Sequence, residues 1–330
     1  MTCIKNAVRF PCFAAALLVM VLSVNGNADM CSVNPVLENQ YPFDNPGQMA
    51  VLDDGNFLFV VDTYSQSMCV VDKTTHAVVS RIDLDFEPWD IAVDQEKHLA
   101  YVSACFYNCI AILDVSDSQP ENFAVTGCIE FDAQSGSKGT GAVALDSTGR
   151  FLYAADMVNH QVFAVDTQDK DLSYAVLEDP LGRLTIISDI IAVNRLICVS
   201  DEVANIVAVF DADSGEHMKN IAVPSAPLSL EPSPDGGKIY TANSRDASIS
   251  VIDTDTLTIT KTAKNENLLD APAALVYAGA RLYIADRSEE KIAVFNPDIE
   301  DFELGTCSVM GSRLQDIVYD GDADVFYVSH

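Results

Sequence analysis

Short apolar segments recur along the chain at a regular spacing, and each of them ends in a polar or small residue. In six copies one such segment ends at a marker residue and the next segment ends ten residues later. The marker pairs are Asp62 and Asp72, Ala104 and Asp114, Asp156 and Asp166, Asp201 and Asp211, Asn243 and Asp253, and Asp286 and Asn296. Inside each segment apolar residues alternate with small or polar ones, which is the period of a β-strand.

The spacing between copies predicts one supersecondary unit of about 43 residues. The first marker advances by 42 to 45 residues at most steps and by 52 at one step, which places an insertion at Asp132–Gly141. Four strands fit each copy, and in the second copy they are predicted at 89–93, 98–104, 110–114 and 123–131. Four antiparallel strands per repeat are typical of a β-propeller blade, so the predicted fold is an all-β propeller.

Both chain ends contribute to the predicted count of seven blades. The chain stops at His330, where the second strand of a seventh copy should end. Residues 30–34 match Met68–Asp72, so they are predicted to be a third strand, and residues 36–43 a fourth. The last blade is therefore expected to combine residues 29–44 with residues 314–330. Such sharing ties the ring together and pairs strand edges that would otherwise stay open.

Several copies carry a local motif, clearest in Tyr240-Thr241-Ala242-Asn243 followed by Val251-Ile252-Asp253. The motif resembles the YVTN-repeat β-propeller family, whose bacterial members are often exported. The resemblance covers essentially the whole chain after residue 28 and implies the fold. It implies a function only weakly, because propellers host lactonases, dehydrogenases and binding platforms. The sequence departs from the motif at Ala104, Cys198 and His330.

The N-terminal segment has the features of an export signal. Lys5 and Arg9 precede a mostly apolar stretch over residues 10–24, and the small residues Gly26 and Ala28 follow it. These features predict a signal peptide over residues 1–28, a single propeller domain over 29–330 and a periplasmic or secreted location. The alternatives are a membrane anchor, for which the apolar run is shorter than about 20 residues, and lipid attachment at Cys31.

Charge restricts the classes of partner. The chain has 49 acidic and 19 basic residues and a formal net charge of −30. Such a surface repels phosphate backbones, so nucleic acid is not an expected partner. No membrane span is expected in the mature chain. A cation, a small cationic ligand or a basic protein surface suits this charge. The alternative is that the charge serves solubility alone.

Cysteines are too few and too scattered for a disulfide scaffold in a chain of this length. Seven follow residue 28, at positions 31, 69, 105, 109, 128, 198 and 307. An oxidising compartment permits a bridge, and Cys109 could pair with Cys128 on the next strand or with Cys105 across a loop. Cys198 lies in an apolar run and is expected to be a small buried hydrophobe.

Alignment of the copies predicts a ring of residues at the start of each innermost strand. The aligned positions are Gln48, Asp90, Ala142, Asp189, Ser229, Ala274 and Asp316. Three carboxylates, those of Asp90, Asp189 and Asp316, would converge at the mouth of the central channel, where they could hold Ca²⁺ or another divalent cation. The alternative is a solvated ring of strand-start residues.

The same end of each blade should carry a ligand-binding face made of loops. Its predicted members are Gln48, Trp89, Asp62, Asp156, His160, Asp201, Asn243, Arg245, Asp286, Arg287 and His330. The acids that end the third strands, at positions 72, 114, 166, 211 and 253, are interpreted instead as turn formers.

The leading functional hypothesis is an exported, non-enzymatic binding or scaffold propeller whose acidic loop face holds a cation, a basic ligand or a protein partner. The chain contains no Gly-x-Ser-x-Gly nucleophile motif and no CxxCH haem motif. The alternative is a lactonase-type hydrolase in which a metal ion at the channel mouth polarises a lactone carbonyl and activates water.

Overall fold

The computed structural model describes residues 17–22, 31–35, 42–53, 55–131, 139–288, 291–308 and 313–330. Two N-terminal strands, β1 (Leu17–Leu22) and β2 (Cys31–Pro35), precede six blades of four consecutive antiparallel strands each. One-turn 3₁₀ helices lie at Pro120–Asn122 and Ser244–Asp246.

The blades follow one another along the chain. Blade 1 contains β3 (Pro46–Val51), β4 (Phe57–Asp62), β5 (Ser67–Asp72) and β6 (Ala77–Asp83). Blade 2 contains β7 (Pro88–Asp94), β8 (Leu99–Ala104), β9 (Cys109–Asp114) and β10 (Ala124–Glu130). Blade 3 contains β11 (Thr140–Leu145), β12 (Phe151–Asp156), β13 (Gln161–Asp166) and β14 (Tyr174–Leu177).

Blade 4 contains β15 (Ile187–Val193), β16 (Leu196–Asp201), β17 (Ile206–Asp211) and β18 (His217–Ala222). Blade 5 contains β19 (Pro227–Pro232), β20 (Lys238–Asn243), β21 (Ser248–Asp253) and β22 (Thr258–Lys264). Blade 6 contains β23 (Pro272–Ala278), β24 (Arg281–Asp286), β25 (Lys291–Asn296) and β26 (Asp301–Ser308). The prediction of an all-β propeller with four antiparallel strands per blade is confirmed.

A further sheet, called the terminal sheet below, contains strands from both ends of the described chain. Its C-terminal strands are β27 (Asp316–Asp320) and β28 (Val325–Ser329), and the strand order is β2-β1-β28-β27. Innermost strands lie beside one another from β3 through β23, and β27 lies between β23 and β3. The ring is therefore closed by a contact between the terminal sheet and blade 1.

The predicted arrangement of the last blade is wrong. The structure shows six blades of consecutive strands rather than seven equivalent ones, and the terminal sheet has a different strand order from the one expected. Residues 30–34 were expected to pair directly with the C-terminal strands, but β1 takes that position, with Leu18 opposite Val328. Strand β2 pairs with the outer edge of β1. The β1 sequence is wholly apolar, which suits an interior position, whereas β2 ends in Pro35, which has no N–H to donate and is tolerated at an edge. Most of the predicted fourth strand, at residues 36–41, lies outside the described residues.

The core lies between neighbouring blades, because each sheet packs its faces against the sheets on either side. Every side chain of β4 is buried. Phe57 of blade 1 contacts Phe123 of blade 2 with ring centroids 5.4 Å apart, and Phe131 stacks on Phe163 at 4.0 Å between blades 2 and 3. Within the part of the chain that the structure describes, no helix is long and apolar enough to cross a bilayer.

Replacing Phe163 by Ala should destabilise the propeller by roughly 3–5 kcal/mol, because it removes a buried ring from the junction of blades 2 and 3. Urea unfolding followed by circular dichroism measures the change. Phe106→Ala is the matched control, since Phe106 is exposed and its removal should cost within about 0.5 kcal/mol. Equal losses in the two variants would contradict the assignment of Phe163 to the core.

Candidate functional site

One end of the propeller gathers two kinds of loop. Each first strand runs antiparallel to the second strand, and Pro46 of β3 lies opposite Asp62 of β4. The loop that enters a first strand therefore lies beside the hairpin that joins the second and third strands. We call this end of the molecule the loop face. Its fully described hairpins between second and third strands are residues 63–66, 105–108, 157–160, 202–205 and 244–247. Its entry loops include 42–45, 84–87, 178–186 and 265–271.

The start of each first strand has an irregular register. In all six blades the pairing of the first and second strands shifts at the first to fourth residue of the first strand. Six of the seven predicted ring residues lie at this irregularity. The seventh, Asp316, begins β27, whose pairing with β28 is regular. A first strand is paired along one edge only. Every second N–H group of the strand points to the unpaired edge and faces the channel without a partner in the sheet.

The carboxylate of Asp90 bridges two blades. Its Oδ1 accepts the N–H of the following residue, Ile91, at 2.8 Å, and its Oδ2 accepts the N–H of Val143 on β11 at 2.8 Å. Val143 belongs to the first strand of the next blade. One side chain thus satisfies an open-edge N–H on each of two neighbouring first strands, which ties blade 2 to blade 3.

Asp189 and Asp316 make the same pair of bonds. Asp189 accepts the N–H groups of Ile190 and of Leu230 in blade 5, both at 2.7 Å. Asp316 accepts those of Ile317 and of Met49 in blade 1, both at 2.8 Å. The last of these bonds closes the ring between the terminal sheet and blade 1. The three acids therefore act as inter-blade clamps.

Each clamp has a serine on the adjacent second strand. Ser103 Oγ accepts the N–H of Asp90 at 3.0 Å, and Ser200 Oγ donates to the carbonyl oxygen of Asp189 at 3.5 Å. Ser329 lies opposite Asp316 in the terminal sheet. In the other four copies this position holds Val61, Ala155, Ala242 and Ala285. The co-occurrence of Asp at the ring position with Ser on the second strand is the signal in the repeat alignment that marks these clamps.

A fourth channel acid was missed by the alignment. Glu231 lies two residues beyond the aligned position Ser229 on β19, and its Oε1 accepts the N–H of Tyr277 on β23 at 2.8 Å. It joins blade 5 to blade 6 at a different level of the channel. A longer side chain placed farther along the strand thus also accepts an N–H group of the next blade. Comparison of single aligned positions does not reveal this role.

Loss of surrounding water raises the pKa of these channel acids. Burial raises the pKa of Asp90 to about 7, and repulsion by Asp316 adds to the shift. Burial likewise raises the pKa of Glu231 to about 7, that of Asp316 to about 6 and that of Asp189 well above its usual value. The backbone N–H donors oppose these shifts, because they favour the ionised form.

The geometry of the channel acids suits backbone amides. Among the described residues no three His, Cys, Asp or Glu side chains are grouped so that they could hold a metal ion. Asp90, Asp189 and Asp316 share one level of the channel but belong to blade 2, blade 4 and the terminal sheet. Whether a cation binds there stays a prediction.

Five predicted ligand-face residues lie beneath the loop face and are fully buried. They are Asp62, Asp156, Asp201, Asn243 and Asp286. Asp62 accepts the N–H groups of Asp44 and Asn45 at 2.9 and 2.7 Å. Asp286 accepts those of Asp270 and Ala271 at 2.7 and 3.0 Å.

The other buried members have similar partners. Asp201 accepts the N–H groups of Ile186 and Ala204 at 2.9 and 2.7 Å, and Asp156 accepts that of Asn159 at 3.0 Å. Asn243 donates to Ser250 Oγ at 2.9 Å. The two carboxylates hold their loops in place from below, whereas Asn243 joins β20 to β21.

The remaining predicted members are accessible to different extents. Trp89, His160, Arg245 and Arg287 are exposed on the loop face, whereas Gln48 and His330 are half-buried. The inserted stretch reaches this face through Gly139, whose N–H donates to Asn108 Oδ1 at 3.2 Å. Residues 132–138 of the insertion lie outside the described residues.

The turn-forming role predicted for the third-strand acids is confirmed. Each carboxylate accepts backbone N–H groups two or three residues ahead, as Asp72 does from Thr75 at 2.7 Å and Asp253 does from Thr256 at 2.8 Å. Asp114, Asp166 and Asp211 make equivalent bonds. These acids lie at the end of the blades opposite the loop face.

The two thiols of the first predicted disulfide lie side by side. Cys109 on β9 and Cys128 on β10 are close enough for a hydrogen bond between their thiols, which lowers the pKa of Cys109 and raises that of Cys128. Both thiols are free in the structure, as is the buried Cys105. Cys198 is fully buried, as predicted.

Comparison with known proteins adds no assignment: no protein-family model matches the chain, and no curated protein matches it.

Replacing Asp90 by Asn should flatten part of the pH dependence of stability. The folded-state pKa is about 7 and the unfolded value is about 4, so between these values the folded chain binds more protons. The free energy of unfolding therefore falls as the pH rises through this window, and the fall should be shallower in Asp90→Asn. Urea unfolding at several pH values between about 5 and 8 measures the slope.

Asp253→Asn is the control for this prediction. Asp253 ends β21 beside a turn, where the N–H of Thr256 lowers its pKa. Its contribution to stability is therefore lost only below about pH 4, and its removal should leave the slope between about pH 5 and 8 unchanged. A slope in Asp90→Asn equal to that of the wild type would show that this carboxyl group is not held protonated.

Treatment with oxidised glutathione should join Cys109 to Cys128. The two thiols lose two hydrogen atoms as the glutathione disulfide is reduced, and the bond should stabilise the chain by on the order of 2–3 kcal/mol. Peptide mapping by mass spectrometry identifies the bridge. It should form in Cys105→Ser and not in Cys128→Ser, whereas a bridge from Cys105 to Cys109 would support the other predicted pairing.

Proposed function

We propose that the protein is an exported, non-enzymatic binding platform whose loop face holds a cationic ligand or a basic segment of a protein partner. The observation that carries the proposal is the distribution of exposed apolar side chains. Eight of the thirteen large hydrophobic residues that are exposed among the described side chains lie on the loop face, all in blades 1 to 4. They are Tyr64, Trp89, Phe106, Tyr107, Val158, Leu181, Ile186 and Val203.

Such a concentration is typical of an interaction surface, because monomeric proteins rarely expose large contiguous apolar patches. Exposed carboxylates lie on the same face, among them Asp44 and Asp85. Together with a net charge of −30, they favour a partner of opposite charge. The proposal includes export of the protein, which the signal-like sequence of residues 1–28 predicts.

The lactonase alternative has less support from the geometry. It requires several acids to be free for one metal ion, whereas Asp90, Asp189 and Asp316 each accept two backbone N–H groups that join neighbouring strands. Using these carboxylates as ligands would weaken the clamps. We therefore favour a role in binding.

The same proposal includes seven blades, with the terminal sheet as the seventh. The position of β27 between β23 and β3 supports it. Removal of residues 1–28 would remove β1 and leave residues 30–34 free to pair with β28, as their match to 68–72 predicts. Membership of the YVTN-repeat family is part of the same hypothesis and rests on motifs such as 240–243.

Removing two carboxylates from the loop face should weaken the binding of a cationic probe. We expect Asp44→Asn/Asp85→Asn to bind fluorescent poly-L-lysine several-fold more weakly than the wild type, with a smaller salt dependence. Fluorescence anisotropy at low and high salt measures both quantities.

Asp255→Asn/Asp298→Asn is the matched control, because these exposed carboxylates lie in turns between third and fourth strands, at the opposite end of the blades. The proposal would be wrong if the wild type did not bind the probe, or if both double variants lost the same affinity.

A further inference from the structure

All four exposed aromatic residues among the described side chains lie in one place. Tyr64 is 70% exposed, Phe106 66%, Tyr107 49% and Trp89 44%. They belong to the loop face of blades 1 and 2, and we call them the aromatic patch. The other large aromatic side chains described are buried or half-buried, so the clustering is a specific feature of these two blades.

Hydrogen bonds to backbone carbonyl oxygens hold the three segments of the patch together. The hairpin that carries Tyr64 is joined to the entry loop of β7 by a bond of 2.9 Å from Thr63 Oγ1 to the carbonyl oxygen of Pro88. The hairpin that carries Phe106 and Tyr107 is joined to the same loop by a bond of 3.0 Å from Cys105 N to the carbonyl oxygen of Glu87.

Two side-chain contacts add to this frame. Gln66 Nε2 donates to Glu87 Oε1 at 2.9 Å. The buried ring of Phe86 supports Tyr107, with ring centroids 6.5 Å apart. The patch is therefore pre-organised, and a ligand that covers it loses little affinity to ordering of the protein.

Carboxylates flank the patch. Asp85 is exposed and Glu87 is half-buried, and both lie in the entry loop that carries the patch. One cation, Arg81, reaches the hairpin that carries Tyr64: its guanidinium donates to the carbonyl oxygen of Ser65 at 3.2 Å and lies 3.8 Å from Asp83. Aromatic faces flanked by carboxylates attract ammonium and guanidinium groups, since both the ring quadrupole and the carboxylate favour a cation.

We infer that the aromatic patch is the docking site for an arginine- or lysine-bearing segment of a partner polypeptide. This inference rests on the proposed binding function. Guanidinium or ammonium groups stack on the rings and pair with Asp85 and Glu87, and apolar side chains of the segment cover the ring edges. Trp and Tyr are enriched among residues that carry most of the energy of protein interfaces. A second copy of this chain is a poor occupant, because its charge of −30 repels the same charge.

Trp89 makes the inference directly measurable, because it is the only tryptophan in the chain and lies in the patch. Titration with a synthetic peptide of alternating Arg and Leu should change the Trp89 emission to saturation. The same peptide with citrulline in place of Arg keeps the shape and removes the charge, and it should bind at least about tenfold more weakly.

Phe106→Ser/Tyr107→Ser should also weaken binding of the Arg-Leu peptide by about tenfold or more. Val158→Ser/Val203→Ser is the matched control, since it removes two exposed apolar side chains from the loop face in blades 3 and 4 and should bind like the wild type. Circular dichroism shows whether each variant folds. Tyr64→Ser, in the other hairpin of the patch, is the second test, with an expected loss of several-fold.

The outcomes separate this inference from the proposed function. If neither the Arg-Leu peptide nor poly-L-lysine binds the wild type, both fall. If the peptide binds but the patch variants bind it as well as the wild type does, the binding platform stands and the patch is not its docking site. If chito- or cello-oligosaccharides change the Trp89 emission and the peptide does not, the patch is a glycan platform and the inference is overturned.

Discussion

The open edge of the innermost strand is the constraint on which this architecture depends. A strand that begins a blade has a ladder partner on one side only, and its other edge presents N–H groups to the central channel. Carboxylates supplied by the neighbouring blade accept these N–H groups, as Asp90 does for Val143 and Asp316 does for Met49. The ring is thus joined by hydrogen bonds at its centre as well as by apolar packing between the sheets.

Several carboxylates in one channel repel one another, and their placement around the ring limits this repulsion. Asp90, Asp189 and Asp316 each precede a blade whose aligned residue is uncharged, namely Ala142, Ser229 and Gln48. No two acids at this level therefore lie on adjacent first strands. Burial is the main cause of the raised pKa values of these acids, and a carboxyl group that keeps its proton places no charge in the channel.

Apart from the channel acids, two further groups of acids have different roles. Those at the ends of the second and third strands accept backbone N–H groups and hold the loops and turns in shape, as Asp62 and Asp72 do. Those at loop tips, such as Asp85, remain exposed. Rigid loops held from below allow Tyr64, Phe106 and Tyr107 to project from short hairpins, and this combination of a fixed frame and exposed rings supports a role in recognition.

Periodicity by itself determined the repeat, the four strands of each blade and the turn-forming acids, because strand alternation and Asx turns are local and leave their pattern in consecutive residues. The alignment also placed Asp90, Asp189 and Asp316 at equivalent positions on their first strands. Tertiary structure alone decided that their oxygens bond the next blade, that Glu231 joins them from another level, and that β1 takes the place expected for residues 30–34. It alone also gathered Trp89 with two hairpins into one patch, because contacts between blades depend on how separate sheets pack and not on the order of residues within one sheet.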